Sequence, residues 1–272
     1  MKTMNVNGVE LAYVEQGRGE TVVFVHGAIS DYRRWELMRP LIAERYHFVS
    51  LSLRYHYPNP WKDKGENFTM AQHVEDMAQF IRGLNVGKVH LVGHSFGGAI
   101  TGRVCIKYPE LLKSAVLAEA LLIPPLAAEG KTAGVDLYSG IEKGVAAERV
   151  GDDRTAAMLS VNAILNDPQA FQKSPLTAQQ STVDNIKTLP LFFAVEKTTS
   201  PLTCEQISTL RVPVLVITGE MTAPYFRYVN EALLDWLPKT TASAIIPAAR
   251  HTFYSDNPDA TAKAILDFIA EH

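Results

Sequence analysis

The sequence predicts an α/β fold: a mostly parallel sheet flanked by helices on both faces, with a helical insertion. Three observations carry this expectation. Strand-like and helix-like stretches alternate along the chain, the pattern that builds parallel βαβ units. Several strands are nearly continuous apolar runs, as a sheet buried on both faces requires. The alternation breaks once, between Leu122 and Leu210, where helical patches such as Glu142–Glu148 and Thr155–Leu165 are separated by loops around Pro168, Pro175 and Pro190.

The elements follow in order. Val9–Glu15 reads as a short strand, and Gly17–Gly19 as a turn. Thr21–His26 (TVVFVH) is a β-branched, buried strand that ends at Gly27. Asp31–Tyr46 carries Trp35, Leu37, Met38, Leu41 and Ile42 at helical spacing, with Pro40 at a start or a kink. Phe48–Leu53 is the next buried strand. Thr69 opens a helix to Leu84, with Val74, Met77, Ile81 and Leu84 on one face. Lys88–Gly93 is a strand, and Phe96–Tyr108 a helix. Ser114–Ala118, Val212–Thr218 and Ala242–Pro247 are further strands. Pro258–Ala270 closes the chain as a helix with Ala264, Ile265, Phe268 and Ile269 as its apolar stripe. The core is therefore expected at 1–122 and 211–272, and a helical cap insertion at 123–210.

Composition bounds the function. The chain has 272 residues, 47% of them hydrophobic and 20% charged, with a formal net charge of −3. These values exclude a collagen-like or wholly disordered chain. They give no general attraction to nucleic acid or acidic membranes. Two cysteines, Cys105 and Cys204, cannot build a disulfide framework or a four-sulfur zinc site, and free thiols in a reducing compartment are expected. Met1–Glu10 lacks the apolar stretch of a secretory signal, and no run of about 18 apolar residues is present. The expectation is a cytoplasmic monomer or homodimer acting on a small-molecule substrate, with neither nucleic acid nor membrane as partner.

Gly93-His94-Ser95-Phe96-Gly97-Gly98 follows a strand and opens a helix. A G-x-S-x-G pattern gains meaning in that context: a sharp turn pushes a serine hydroxyl out of the sheet, and the glycines allow close backbone approach. The helix N-terminus points unpaired N–H groups at a developing negative charge. The competing reading makes Ser95 an ordinary N-cap.

With Val25-His26-Gly27-Ala28 after the first buried strand, the Ser95 elbow, a late strand ending in Gly219, and His251 before the last helix, the sequence resembles an α/β-hydrolase of the serine esterase type. The resemblance spans nearly the whole chain and implies an eight-stranded sheet. It makes His251 the base among the eight histidines. It assigns the oxyanion hole to the backbone amides of Phe96 and Ala28, and gives His26 and His94 structural roles. No metal or organic cofactor is implied.

The acid departs from the commoner family pattern. Many members carry Asp three residues after the glycine ending the late strand, where this chain has Thr222. Threonine lacks the charge that steadies an imidazolium. Other members, including some haloalkane dehalogenases, place the acid after the preceding strand, which here ends in Glu119. Glu119 is therefore the expected acid, with Glu220 as runner-up; Asp256 is read as a cap of the last helix.

The expected substrate pocket includes Ile29, Arg54, Tyr55, Tyr138 and Phe193. Arg54–Trp61 is an aromatic loop at the ligand-binding end of the sheet, suited either to grip an anionic group or to pack on itself. Met158, Leu159, Leu191 and Phe192 from the insertion are candidate roof residues, Phe96 a bordering one, and Trp35 a further candidate. The expected activity is hydrolysis of a carboxylic ester or lactone by a Ser-His-Glu triad. Carbon–carbon bond hydrolysis of the ring-cleavage type and a ligand-binding receptor on the same fold are the alternatives.

Overall fold

The computed structural model describes residues 1–122, 135–239 and 241–272. Residues 123–134, which open the expected insertion, lie outside the described residues. Among the described residues eight strands form one sheet: β1 (Lys2–Val6), β2 (Val9–Gln16), β3 (Thr21–Val25), β4 (His47–Leu51), β5 (Val89–His94), β6 (Leu112–Ala118), β7 (Val214–Gly219) and β8 (Ala242–Ile246). Their order is β1-β2-β4-β3-β5-β6-β7-β8. β2 pairs antiparallel with β1 and β4, and every pairing from β4 to β8 is parallel. The fold is the α/β-hydrolase fold, a mostly parallel sheet flanked by helices with a helical insertion.

The strand order reverses at β3, so the loops after β3 and β5 leave opposite sides of one crevice, the position at which open α/β sheets bind ligands. Alternate residues of the central strands feed different cores. Val23, Val25 and Leu91 enter one apolar cluster, whereas Val22, Phe24 and Val92 enter the other. Both faces are buried, which is why these strands read as nearly continuous apolar runs.

The helices are α1 (Arg39–Ala43), α2 (Met70–Leu84), α3 (Phe96–Lys107), α4 (Val135–Arg149), α5 (Asp153–Leu165), α6 (Ala170–Lys173), α7 (Leu176–Asn185), α8 (Leu189–Thr198), α9 (Cys204–Ser208), α10 (Pro224–Trp236), α11 (Phe253–Asp256) and α12 (Pro258–Ile269). Thr69 caps α2 by accepting from the Gln72 amide. The insertion, α4 to α9, is tied to the core at one buried carboxylate. Asp31 Oδ2 accepts from Asn185 Nδ2 at 2.6 Å, from Ser181 Oγ at 3.1 Å and from Arg33 Nη2 at 2.7 Å.

Three elements differ from the sequence expectation. The helix expected over Asp31–Tyr46 is a 3₁₀ turn at Tyr32–Trp35 followed by the short α1, whose start is set by Pro40. Strand β1 is an edge strand with mostly exposed side chains (KTMNV), so it carries little apolar signal. The Asn7-Gly8 pair joins it to β2 with φ of 47° and 80°, a two-residue hairpin signal that was present in the sequence. Helix α10 was not anticipated, although Tyr225, Phe226, Val229 and Leu233 are buried at helical spacing. Both cysteines are free thiols, Cys105 buried and Cys204 exposed. Among the described residues no helix is long and apolar enough to cross a membrane.

Candidate active site

Ser95 sits between β5 and α3 with φ 54° and ψ −117°, outside the regions that L residues ordinarily occupy. Its backbone is held in that strain from both sides: its amide donates to Ala118 O at 3.0 Å, and its carbonyl accepts from Leu121 and Ala99. Its side chain makes no capping hydrogen bond, so it is not acting as an N-cap. The flanking glycines have a steric reason. A Cβ on Gly97 would lie 2.4 Å from His26 O and 2.6 Å from Val25 O, and one on Gly93 would lie 2.2 Å from Thr101 Oγ1. Only glycine lets the elbow pack this closely on β3.

His251 lies in the loop between β8 and α11. Its Nδ1 donates to Glu119 Oε2 at 2.5 Å, which leaves Nε2 without a proton when the ring is neutral. The ring is clamped: Phe226 of α10 stacks on it with centroids 3.7 Å apart and planes 10° apart, and His94 lies 4.3 Å away. His94 Nε2 also donates to His251 O at 3.0 Å. Among the described residues no hydrogen bond joins Ser95 Oγ to His251 Nε2, although both residues line one cavity. Such bonds are often long in unliganded sites.

Glu119 follows β6 with φ 44°, another strained position. It is 1% exposed, yet every oxygen is served: Oε1 accepts from Gly219 N at 2.8 Å, and Oε2 accepts from Thr222 Oγ1 at 2.8 Å as well as from His251. Burial disfavours charge on both partners. It pushes the Glu119 carboxyl up to about 7, against the opposing hydrogen bonds from Gly219 and Thr222. It pushes the His251 imidazole down, with the Arg34 charge acting in the same direction. The bond between them opposes both effects, because the ion pair is the charged form with a partner.

The cavity holds about 450 Å³ and is bounded by the loop after β3, the Ser95 elbow, the His251 loop and the insertion. Ala28 and Ile29 line it beside Ser95, and Tyr138 and Phe192 line it from the insertion. Among the described residues no hydrogen bond occupies the amides of Ala28 or Phe96. No group of three or more His, Cys, Asp or Glu among those residues is arranged to hold a metal ion.

Several expected pocket residues lie elsewhere. Arg54 is buried in a two-point pair with Asp76, at 2.7 Å and 2.8 Å, and does not reach the cavity. Tyr55 is turned away to Asp63 and Trp61, with its hydroxyl 2.7 Å from Asp63 Oδ1. Phe193 points off the cavity beneath the Lys197 ammonium, whereas its neighbour Phe192 faces in. Consecutive helical residues lie about 100° apart, and on α8 that turn brings Phe192 rather than Phe193 to the cavity. The Phe96 side chain is fully buried between Phe68 and Phe192 rather than bordering the pocket. Trp35 is core against Phe24. Met158, Leu159 and Leu191 do not line the cavity. Glu220 accepts from the Ala248 amide, away from His251. Asp256 binds Arg250 and Thr252, and the cap of α12 is Asn257.

The sequence reading missed Phe226, Thr222 as a donor, and Arg34, which also lines the cavity. Phe226 was legible as part of an apolar helical face. The other two carry no pattern, since what they touch is set by loops distant in sequence.

A family profile described as "Alpha/beta hydrolase family" matches residues 22–264. The chain is 24% identical over 275 residues to the 2-(acetamidomethylene)succinate hydrolase of Mesorhizobium japonicum, covering 98% of this chain and 94% of that protein. An esterase from Thermogutta terrifontis superimposes with a TM-score of 0.79 at 20% identity, covering 100% of this chain and 99% of the other. An enol-lactonase from Burkholderia xenovorans LB400 superimposes with a TM-score of 0.78 at 14% identity, covering 99% and 100%. At these identities the likeness to the solved structures is one of fold.

Proposed function

The chain belongs to the alpha/beta hydrolase family, and from that premise we propose that it hydrolyses a carboxylic ester or lactone through an acyl-enzyme on Ser95. Ser95 Oγ attacks the carbonyl carbon while His251 Nε2 takes its proton. Glu119 holds the His251 Nδ1–H and balances the imidazolium. The carbonyl oxygen becomes an oxyanion received by the amides of Phe96 and Ala28, each worth about 2.7–4 kcal/mol in the transition state. Collapse breaks the bond to the alcohol oxygen, which leaves with the proton from His251. Water then gives His251 a proton, attacks the acyl carbon and releases the acid, restoring Ser95.

The observation that carries the reading is the dry Glu119–His251 hydrogen bond beside a strained serine that caps nothing. A serine in a merely structural elbow has no use for a buried carboxylate orienting a histidine in the same cavity.

Two assays test it: turnover of a panel of p-nitrophenyl esters and simple lactones, and covalent labelling by a fluorophosphonate, each with wild type and Ser95→Ala. Labelling and turnover lost together in Ser95→Ala support the reading. Turnover retained in Ser95→Ala overturns it. Labelled protein that is folded but inactive on the whole panel moves the assignment to carbon–carbon bond hydrolysis.

A further inference from the structure

Arg54, the arginine expected from sequence to grip an anionic group, is consumed by Asp76. Another arginine is available. Arg34 lies on the 3₁₀ turn after β3, and its side chain lines the cavity that holds Ser95 and His251. Among the described residues it makes no ion pair. Its neighbours do: Arg33 is held by Asp31 and Asp184, and the other cations on the cavity wall, Lys173 and Arg250, are held by Asp167 and Asp256.

Arg34 is braced for a ligand. Its Nε donates at 2.6 Å to Ser30 Oγ, on a serine that is 1% exposed, and its guanidinium carbon lies 5.5 Å from the centre of the buried Tyr254 ring. The hydroxyl takes Nε and leaves both terminal nitrogens without a carboxylate. A half-buried guanidinium of fixed orientation beside a reacting centre matches the planar, two-oxygen geometry of a carboxylate.

We propose that Arg34 is a carboxylate-binding subsite, and that the ester or lactone taken by this cavity carries a carboxylate group of its own. The proposal rests on the hydrolase reading of the same cavity and names its substrate class. Docking an anion there also offsets the positive charge that now disfavours a proton on His251, so the substrate itself improves the base.

The test uses two matched ester pairs, so that the anion is offered on either side of the scissile bond. One pair is p-nitrophenyl hydrogen glutarate against p-nitrophenyl valerate; the other is 4-carboxyphenyl acetate against 4-methylphenyl acetate. Wild type is expected to favour the anionic member of at least one pair, with the Arg34→Gln variant lowering that kcat/KM ratio at least about tenfold. Arg34→Lys, which keeps the charge but not the fork, should recover part of the ratio. Independently of turnover, folded Ser95→Ala protein should bind monomethyl glutarate by calorimetry, and Ser95→Ala/Arg34→Gln should not. Equal losses for both members of each pair overturn the subsite, as does monomethyl glutarate binding unchanged by the Arg34 substitution or absent from Ser95→Ala. Absence of serine-dependent turnover of all four esters in wild type would instead count against the hydrolase reading, and the calorimetry still decides the subsite.

Discussion

Thr222 donates its hydroxyl to Glu119 Oε2 at 2.8 Å, the same oxygen that receives His251 Nδ1. The loop after β7, where the commoner pattern of the family resemblance puts the acid, here carries a neutral donor that braces the proposed acid at the end of β6. The Glu119 carboxylate reaches both Thr222 and His251 because β6 and β7 are adjacent parallel strands whose C-terminal ends lie side by side. Glu119→Gln is expected to lower kcat/KM by about 10³–10⁴-fold on any ester the wild type turns over. Glu220→Gln should stay near wild type, because among the described residues its carboxylate accepts only from the Ala248 amide. Thr222→Val should cost about tenfold, the worth of one hydrogen bond to a charged group. Steady-state kinetics on the three variants checks the order.

The pH profile carries a sign that follows from burial. His251 accepts a proton only when neutral, and burial lowers its pKa from the usual 6.5. Activity is therefore retained as pH falls through 6.5 and is lost only below the depressed value. The acid limb of kcat/KM should have its midpoint under about 6.5. A midpoint above that value would mean that the Glu119 interaction outweighs desolvation.

Arg54 and Asp76 form a pair whose side chains are 5% and 2% exposed. Asp76→Ala leaves the guanidinium buried without its counter-charge and is expected to destabilise the protein by about 3–5 kcal/mol. Arg54→Met/Asp76→Leu should lose much less, since replacing both charges removes the desolvation cost as well. Urea unfolding of the two variants distinguishes a structural pair from a ligand-binding arginine.

Gly97→Ala drives a methyl group against His26 O and Val25 O, both of them backbone atoms that cannot turn aside. The variant is expected to lose about 3 kcal/mol or more, or to fail to fold. Gly87→Ala is the opposite control for space: a Cβ there meets nothing within 4 Å, and the cost comes only from its φ of 79°. That cost is about 1 kcal/mol. Thermal unfolding of both variants separates steric from conformational penalty.

Much of the fold was legible because its cause is local. The runs at 22–25, 91–92 and 214–217 are apolar because both faces of the sheet are buried. Ser95 was legible because the elbow needs small neighbours at fixed offsets, and Glu119 and His251 because each follows a strand at a place the family resemblance makes meaningful. The edge hairpin at 2–16 and helix α10 were present in the pattern but weakly marked, one by exposure and the other by its position after an irregular loop.

The remainder was decided only in three dimensions. By itself the sequence determined the alternation of elements, the strained serine turn and the candidate partners of that serine, since these rest on spacing within single segments. The tertiary structure decided which of two neighbouring side chains faces the cavity, as with Phe192 and Phe193, and which arginine is left without a carboxylate, as with Arg34 and Arg54. A charge in a chain has no partner until distant segments meet, and Asp76 reaches Arg54 across 22 residues. The Glu119–His251 bond spans 132 residues, so its geometry is a property of the packed sheet rather than of either loop.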